Sequence, residues 1–219
     1  KDLFDTAGVA TEAGSALLAG RVPGRDAEVL IDATEAGLAC LGKTHMSELA
    51  FSGLGLNPVT ATPSNVNDPK AVPGGSSSGA AASVAFGLAP AAIGSDTGGS
   101  VRLPAAWNDL VGLKTTHGRL SLQGAVPLCE TLDTVGPLTR SVEDAGLILA
   151  ALEGGKPADL RGATLEGTRF LVLETLALDD VREAPMRGFE HGLKALEAAG
   201  ARLERGRIPE VTEAASLSG

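Results

Sequence analysis

Residues 94–102 read Gly-Ser-Asp-Thr-Gly-Gly-Ser-Val-Arg, and residues 73–79 upstream read Pro-Gly-Gly-Ser-Ser-Ser-Gly. Both segments place serines at a glycine-rich turn just before a stretch with helical character. The first N–H groups of a helix lack intrahelical partners, and glycine lets the chain curl so that several of them point to one place. Such a place can hold an anion, either a bound phosphate or the oxyanion of acyl transfer. A serine there is a candidate nucleophile with an oxyanion hole beside it.

Outward from these turns, helix and strand signals alternate along the chain. Helices are predicted over residues 26–36, 77–86, 141–152 and 185–199, and another is expected to open near Ser100. Short strands are predicted over residues 38–41, 88–94, 111–114, 169–173 and 201–203. Residues 118–141 are predicted to be loosely structured. The alternation favours an α/β layered fold over a β-sandwich.

The composition restricts the class of protein. The 219-residue chain is 43% apolar and has a formal net charge of -9, which argues against a nucleic-acid partner because binding phosphates requires a clustered basic face. Its two cysteines form no C-x-x-C pair and its three histidines form no H-x-x-x-H pattern, so no metal site is predicted. No apolar run has the length of a membrane span, and the first residues do not form a signal peptide. We therefore expect a soluble, cytoplasmic protein with no membrane partner.

The residues alone leave other interpretations of the serine-glycine segments open. Residues 75–79 formally match G-x-S-x-G, the nucleophile elbow of α/β-hydrolases, with Ser77 at the centre. That motif needs a strand running into it, whereas residues 68–74 contain two prolines. A phosphate-binding module would use the same helix starts, but the chain lacks the G-x-x-x-x-G-K-[ST] pattern. A nucleophilic serine also needs a base, and nothing local selects one of the six lysines.

Several segments together closely resemble the amidase signature family. They are residues 1–15, 41–50, 73–79, 94–106, 111–116 and 132–138. The first of them has Lys-Asp followed by Thr-Ala-Gly, which is similar to the family's lysine-bearing segment. The resemblance implies an α/β amidase signature fold with a mixed central sheet covered by helices on both faces. It also implies a single catalytic domain over residues 1–219, which we expect to be an internal portion of a longer chain.

The resemblance implies a Ser–cis-Ser–Lys triad. The nucleophile is then Ser100, and the middle serine, with a cis peptide bond before it, is Ser76. The base is Lys1, because it alone has the Lys-Asp and Thr-Ala-Gly context; Lys43 lies in a motif-like Gly-Lys-Thr but lacks that context.

Supporting roles follow from the same resemblance. The backbone N–H groups around Thr97, Gly98, Gly99 and Ser100 are expected to hold the oxyanion. Asp96 and Arg102 are expected to pair and hold the loop. The candidate substrate-binding residues are Ala50, Phe51, Ser52 and Gly53.

Three positions depart from the family's pattern. Ser78 stands where many members have glycine, which can narrow the loop. Trp107 and Asn108 replace a small Cys-Gly pair, and we expect them either to reshape a pocket wall or to fill the core.

The implied function is an amidase that hydrolyses the C–N bond of a small or medium carboxamide and needs no cofactor. Its expected partner is a small-molecule amide, and the protein could form a homodimer. One alternative is the amidase subunit of a glutamine-dependent tRNA amidotransferase, for which alone nucleic acid is expected; residues 123–128 do not resemble that subunit's usual sequence. Another alternative is a catalytically inactive binding protein with the same fold, against which the presence of all three triad residues argues.

Overall fold

The computed structural model describes residues 1–216, which divide into two compact units. The first unit is Lys1–Ala158 and the second begins at Asp159. All of the sequence-predicted site residues lie in the first unit. No helix within the described residues is both long enough and apolar enough to cross a membrane.

A three-stranded antiparallel sheet organises the first unit. Its strands are β1 (Ala91–Asp96), β2 (Val111–Gly112) and β3 (Thr134–Thr139), and β3 lies between the other two. The register pairs Asp96 with Thr134 and Ala91 with Thr139. All six residues of β3 are buried, so this strand is the centre of the unit.

Four α-helices accompany the sheet: α1 (Glu28–Glu35), α2 (Ser78–Ala85), α3 (Arg102–Trp107) and α4 (Val142–Leu152). Helix α2 consists of small residues, which lets its backbone approach the rest of the unit closely; a Cβ on Gly79 would lie 2.5 Å from the backbone nitrogen of His45. Helix α4 begins where the Ser141 side chain accepts a hydrogen bond from the Asp144 N–H, an N-cap that satisfies one free donor of the first turn.

The core lies on both faces of the sheet. Successive side chains of a strand point to opposite faces. On one face Ile93 and Val135 pack with side chains of the first segment and of helices α1 and α4 (Leu3, Phe4, Val29, Leu152). On the other face Ala92 and Leu138 pack with helices α2 and α3 and the turn before α3 (Ala80, Ala81, Val101, Ala105). Helices therefore cover both faces, and the predicted α/β class is confirmed.

The second unit contains strand β4 (Arg169–Leu173), helix α5 (Glu183–Ala198), strand β5 (Arg202–Gly206) and helix α6 (Pro209–Ser216). The two strands are parallel, with Arg169 opposite Arg202. Helix α5 is the connection between them, as parallel strands require a crossover rather than a tight turn.

Most predicted elements are present, with three differences. Residues 38–41 form no strand, and Leu41 is 74% exposed, so this apolar run is not a buried one. Strand β3 was not predicted because Gly136 and Pro137 interrupt its pattern; Pro137 takes part through its carbonyl, which accepts a hydrogen bond from the Leu113 N–H. Helix α6 was not predicted either.

Candidate active site

The loop that carries Ser76 is fixed by main-chain contacts. The N–H groups of Gly74 and Gly75 donate to the carbonyls of Leu54 and Gly53 at 3.1 and 2.8 Å. A Cβ on Gly75 would lie 2.6 Å from the Gly55 backbone, so only glycine fits there. The peptide bond between Gly75 and Ser76 is cis, as the resemblance implies, and the Ser76 side chain is fully buried.

Lys1 contacts this loop directly. Its Nζ lies 2.7 Å from Ser76 Oγ and 2.7 Å from Ser95 Oγ, and the residue is 7% exposed. Burial lowers the pKa of the Lys1 amine to about 7, although the negative charges of Asp96 and Asp133 act in the opposite direction. The amine can therefore lose its proton near neutral pH and accept one from Ser76.

Ser100 lies in the turn between β1 and α3, next to the cis-serine loop. Its carbonyl accepts a hydrogen bond from the Ser77 N–H at 3.2 Å, and the residue is 8% exposed. The structure thus brings Lys1 and Ser76 into hydrogen-bond contact and places Ser100 against the residue that follows Ser76. The hydroxyls of Ser76 and Ser100 are not hydrogen-bonded to each other, so the second link of the predicted triad stays a prediction.

The turn before α3 is organised around the buried carboxylate of Asp96. This carboxylate accepts hydrogen bonds from the N–H groups of Gly99 at 2.8 Å and Val101 at 3.1 Å. The Arg102 guanidinium adds two more, from Nε at 3.0 Å and Nη2 at 2.9 Å. Burial by itself raises the pKa of Asp96, but these donors outweigh it and the pKa is lowered. Asp96 and Arg102 are therefore in contact, and their contact shapes the turn.

We expect Asp96→Ala to lower the free energy of unfolding by about 3 kcal/mol, since it leaves buried N–H groups unpaired. Arg102→Ala should cost less, because the Arg102 side chain is half exposed and Asp96 keeps its main-chain donors. Denaturant unfolding of both variants measures the difference. An Asp96→Ala protein as stable as the parent would contradict this role.

The four residues whose N–H groups are expected to hold the oxyanion differ in the partners of those groups. Gly99 directs its N–H to Asp96. The Thr97 hydroxyl donates to the Asp133 carboxylate. A Cβ on Gly98 would meet nothing within 4 Å, so Gly98 borders open space. Within residues 1–216, the N–H groups of Thr97, Gly98 and Ser100 have no hydrogen-bond partner, which leaves these three able to bind a ligand oxygen.

The predicted substrate-binding residues lie beside the cis-serine loop but differ in exposure. Ala50 is buried, whereas Phe51 is 81% exposed. The Ser52 carbonyl accepts from the Ser47 hydroxyl, and the Gly53 carbonyl accepts from the Gly75 N–H. The backbone of this segment therefore supports the cis-serine loop. Of the four residues, Phe51 has the side chain most exposed to solvent and so most accessible to a ligand.

Two residues of the site were missed by sequence reasoning. Ser95 lies in the glycine-rich stretch itself, and its hydroxyl accepts a hydrogen bond from the Lys1 amine. Asp133 accepts hydrogen bonds from Thr97 and from the N–H groups of Leu128 and Cys129. The contacts of Ser95 and Asp133 join distant parts of the chain, so no local pattern predicts them. The only sequence signal for either residue is that it lies in a segment that resembles the family.

The charge of Asp133 raises the pKa of Lys1, so we expect Asp133→Asn to lower it further. If activity requires the neutral amine, the acid limb of the pH–rate profile moves to lower pH. Profiles of kcat/KM for the parent and the variant measure this shift. Asp109→Asn, at an exposed position, is the control and should leave the limb in place. If the acid limb of the Asp133→Asn profile lies at the same pH as that of the parent, or at a higher pH, the expectation is refuted.

The alternative base, the alternative nucleophile and a metal site find no support in the part of the chain that the structure describes. Lys43 donates to the Ala10 carbonyl and the Thr11 hydroxyl and pairs with Asp2 at 2.9 Å, so its amine is engaged away from both serines. No strand runs into Ser77, so the strand–turn–helix context of a nucleophile elbow is not present there. Residues 1–216 contain no cluster of three His, Cys, Asp or Glu side chains able to hold a metal.

Comparisons with known proteins identify the family of the chain. The family model described as Amidase matches residues 1–218. The chain is 46% identical over 166 residues to a glutamyl-tRNA(Gln) amidotransferase subunit from Oenococcus oeni, covering 76% of this chain and 34% of that protein. It is 37% identical over 222 residues to the corresponding subunit from Carboxydothermus hydrogenoformans, covering 95% of this chain and 46% of that protein.

Solved structures give the same fold. The corresponding glutamyl-tRNA(Gln) amidotransferase subunit from Thermotoga maritima matches with a TM-score of 0.89 and 34% identity, covering 97% of this chain and 50% of that one. The peptide amidase of Stenotrophomonas maltophilia matches with a TM-score of 0.82 and 36% identity, covering 94% of this chain and 46% of that one. The chain thus spans half or less of the length of these relatives.

Proposed function

The chain belongs to the amidase family, and on that premise we propose that its protein hydrolyses the C–N bond of a small or medium carboxamide. The observation that carries the proposal is the buried Lys1 amine in hydrogen-bond contact with Ser76 Oγ at 2.7 Å. A lysine whose pKa is lowered to about 7 and whose partner is a buried hydroxyl is suited to general-base catalysis near neutral pH.

The proposed reaction begins with Ser100 as the nucleophile. Neutral Lys1 accepts the proton of Ser76, and Ser76 accepts the proton of Ser100 as the Ser100 oxygen bonds to the amide carbon. The unpartnered N–H groups of Thr97, Gly98 and Ser100 are the donors we assign to the developing oxyanion, and each such donor is worth about 3 kcal/mol in the transition state. The proton returns through Ser76 to the leaving nitrogen as the C–N bond breaks, which releases the amine or ammonia. Water then cleaves the acyl-enzyme by the same relay.

A second candidate is the amidase subunit of a glutamine-dependent tRNA amidotransferase. It is favoured by the relatives described above. Both of the similar sequences and one of the two similar structures are glutamyl-tRNA(Gln) amidotransferase subunits. In that case the amide is glutamine, the released ammonia passes to a second site, and other subunits are the partners. The chemistry at Ser100 is the same in both candidates, so they differ in substrate and partners. The cytoplasmic location and the homodimer remain predictions.

Ammonia release by the full-length protein separates the candidates. We expect turnover of at least one member of a carboxamide panel of graded acyl size, with glutamine included. Preference for glutamine, together with transfer to charged tRNA when partner subunits are added, would promote the second candidate. If no amide is turned over and a fluorophosphonate does not label the protein, the inactive binding protein becomes the better description.

A further inference from the structure

Asn108 is a fully buried polar residue that the proposed reaction does not use. It follows helix α3 directly and is 1% exposed. Its Nδ2 donates to the carbonyl of Pro73 at 2.7 Å and to that of Pro104 at 2.8 Å. Its Oδ1 accepts from the Val66 N–H at 3.1 Å. A neutral side-chain amide is well suited here, because it presents two donors to two carbonyls and one acceptor to an N–H.

The two carbonyls belong to the two serine segments. Pro73 immediately precedes the Gly74-Gly75-Ser76 loop, and Pro104 lies in helix α3, which begins two residues after Ser100. The segments also touch at this point, since a Cβ on Gly74 would lie 2.8 Å from Pro104 Cα. Asn108 therefore bonds both segments where their backbones meet.

We propose that Asn108 is a positioning residue that holds the Ser76 loop in register with the segment carrying Ser100. The inference rests on the proposed function, since a relay between two hydroxyls needs their relative position fixed. Asn108 does not touch the reacting atoms. It acts by setting the distance between the two backbones that carry them, and a misplacement of about 1 Å can cost about a hundredfold in rate.

Asn108→Asp tests this with little change in shape. An aspartate side chain has no donor when ionised and a single O–H donor when protonated, so it cannot bond both the Pro73 and Pro104 carbonyls, and the two segments lose their common bond. In the full-length protein we expect kcat to fall by about ten- to a hundredfold while KM stays within about threefold.

Asn57→Asp is the matched control. Asn57 is also buried, its Nδ2 donates to two carbonyls, those of Gly14 and Met46, and its Oδ1 accepts from the Val59 N–H. It bonds neither serine segment. We expect this variant to lose stability, measured as melting temperature, and to keep kcat within about threefold of the parent among folded molecules.

Asn108→Ala provides a second measurement if the aspartate variant does not fold, because a water molecule can occupy the vacated space and bond the carbonyls. The inference is overturned if a folded Asn108 variant keeps the parent kcat, if Asn57→Asp loses as much kcat, or if neither Asn108 variant folds, since Asn108 would then serve the fold itself. An inactive parent would overturn the proposed function and this inference with it. An active parent with an unaffected Asn108 variant would overturn this inference alone.

Discussion

Ser100→Ala is expected to reduce amide hydrolysis by the full-length protein by on the order of 10⁶-fold, the size of loss that follows removal of a serine nucleophile in a hydrolase. The change deletes the atom that bonds to the substrate carbon and leaves the buried Asp96 network that shapes the turn untouched. Steady-state kcat with a substrate found in the carboxamide panel measures the loss.

Ser83→Ala is the control for this substitution. Ser83 lies in helix α2 and its hydroxyl donates back to the Ala80 carbonyl, so it has no part in the relay. We expect its kcat to stay within about threefold of the parent. Retention of amidase activity by Ser100→Ala would eliminate the mechanism.

Lys1→Ala is expected to lower kcat/KM by about 10²- to 10⁴-fold at pH values above 7, the contribution of a positioned general base. The loss depends on pH in a defined direction. The Lys1 amine has a pKa of about 7, so below that pH the parent enzyme also loses its neutral base. The ratio of parent to variant should therefore shrink as the pH falls, and profiles from pH 5.5 to about 9 measure it.

Lys43→Ala is the matched control for the lysine. Lys43 is also largely buried and has three partners, but none of them is Ser76, Ser95 or Ser100. We expect a lower melting temperature from loss of the contact with Asp2, and an acid limb at the same pH as the parent. If Lys43→Ala removes the limb and Lys1→Ala does not, the assignment of the base is wrong.

Local patterns predicted much of the fold because they follow from physical rules that act over a few residues. Ser141 begins a helix as expected because its side chain caps the first turn, and residues 169–173 form the predicted strand. The central strand was missed for the opposite reason. Gly136 and Pro137 are poor local strand formers, and only pairing on both sides with β1 and β2 makes Thr134–Thr139 a strand.

The candidate site was predictable only in part. The glycine-rich turns indicated an anion site without help from any relative, but the choice of Lys1 among six lysines depended on the family resemblance. Its contact with Ser76 joins residues far apart in the chain, and so do the contacts of Ser95 and Asp133. The bond from Asn108 to Pro73 is likewise set by tertiary packing, and no local pattern specifies it.

Mapping the covalent adduct of a fluorophosphonate on the full-length protein by peptide mass spectrometry tests the central claim most directly. The relay from Lys1 through Ser76 predicts one modified residue, Ser100, and labelling that becomes slower as the pH falls below about 7. An adduct on any other residue, such as Ser76, Ser77 or Ser95, in an enzyme that hydrolyses amides would contradict it.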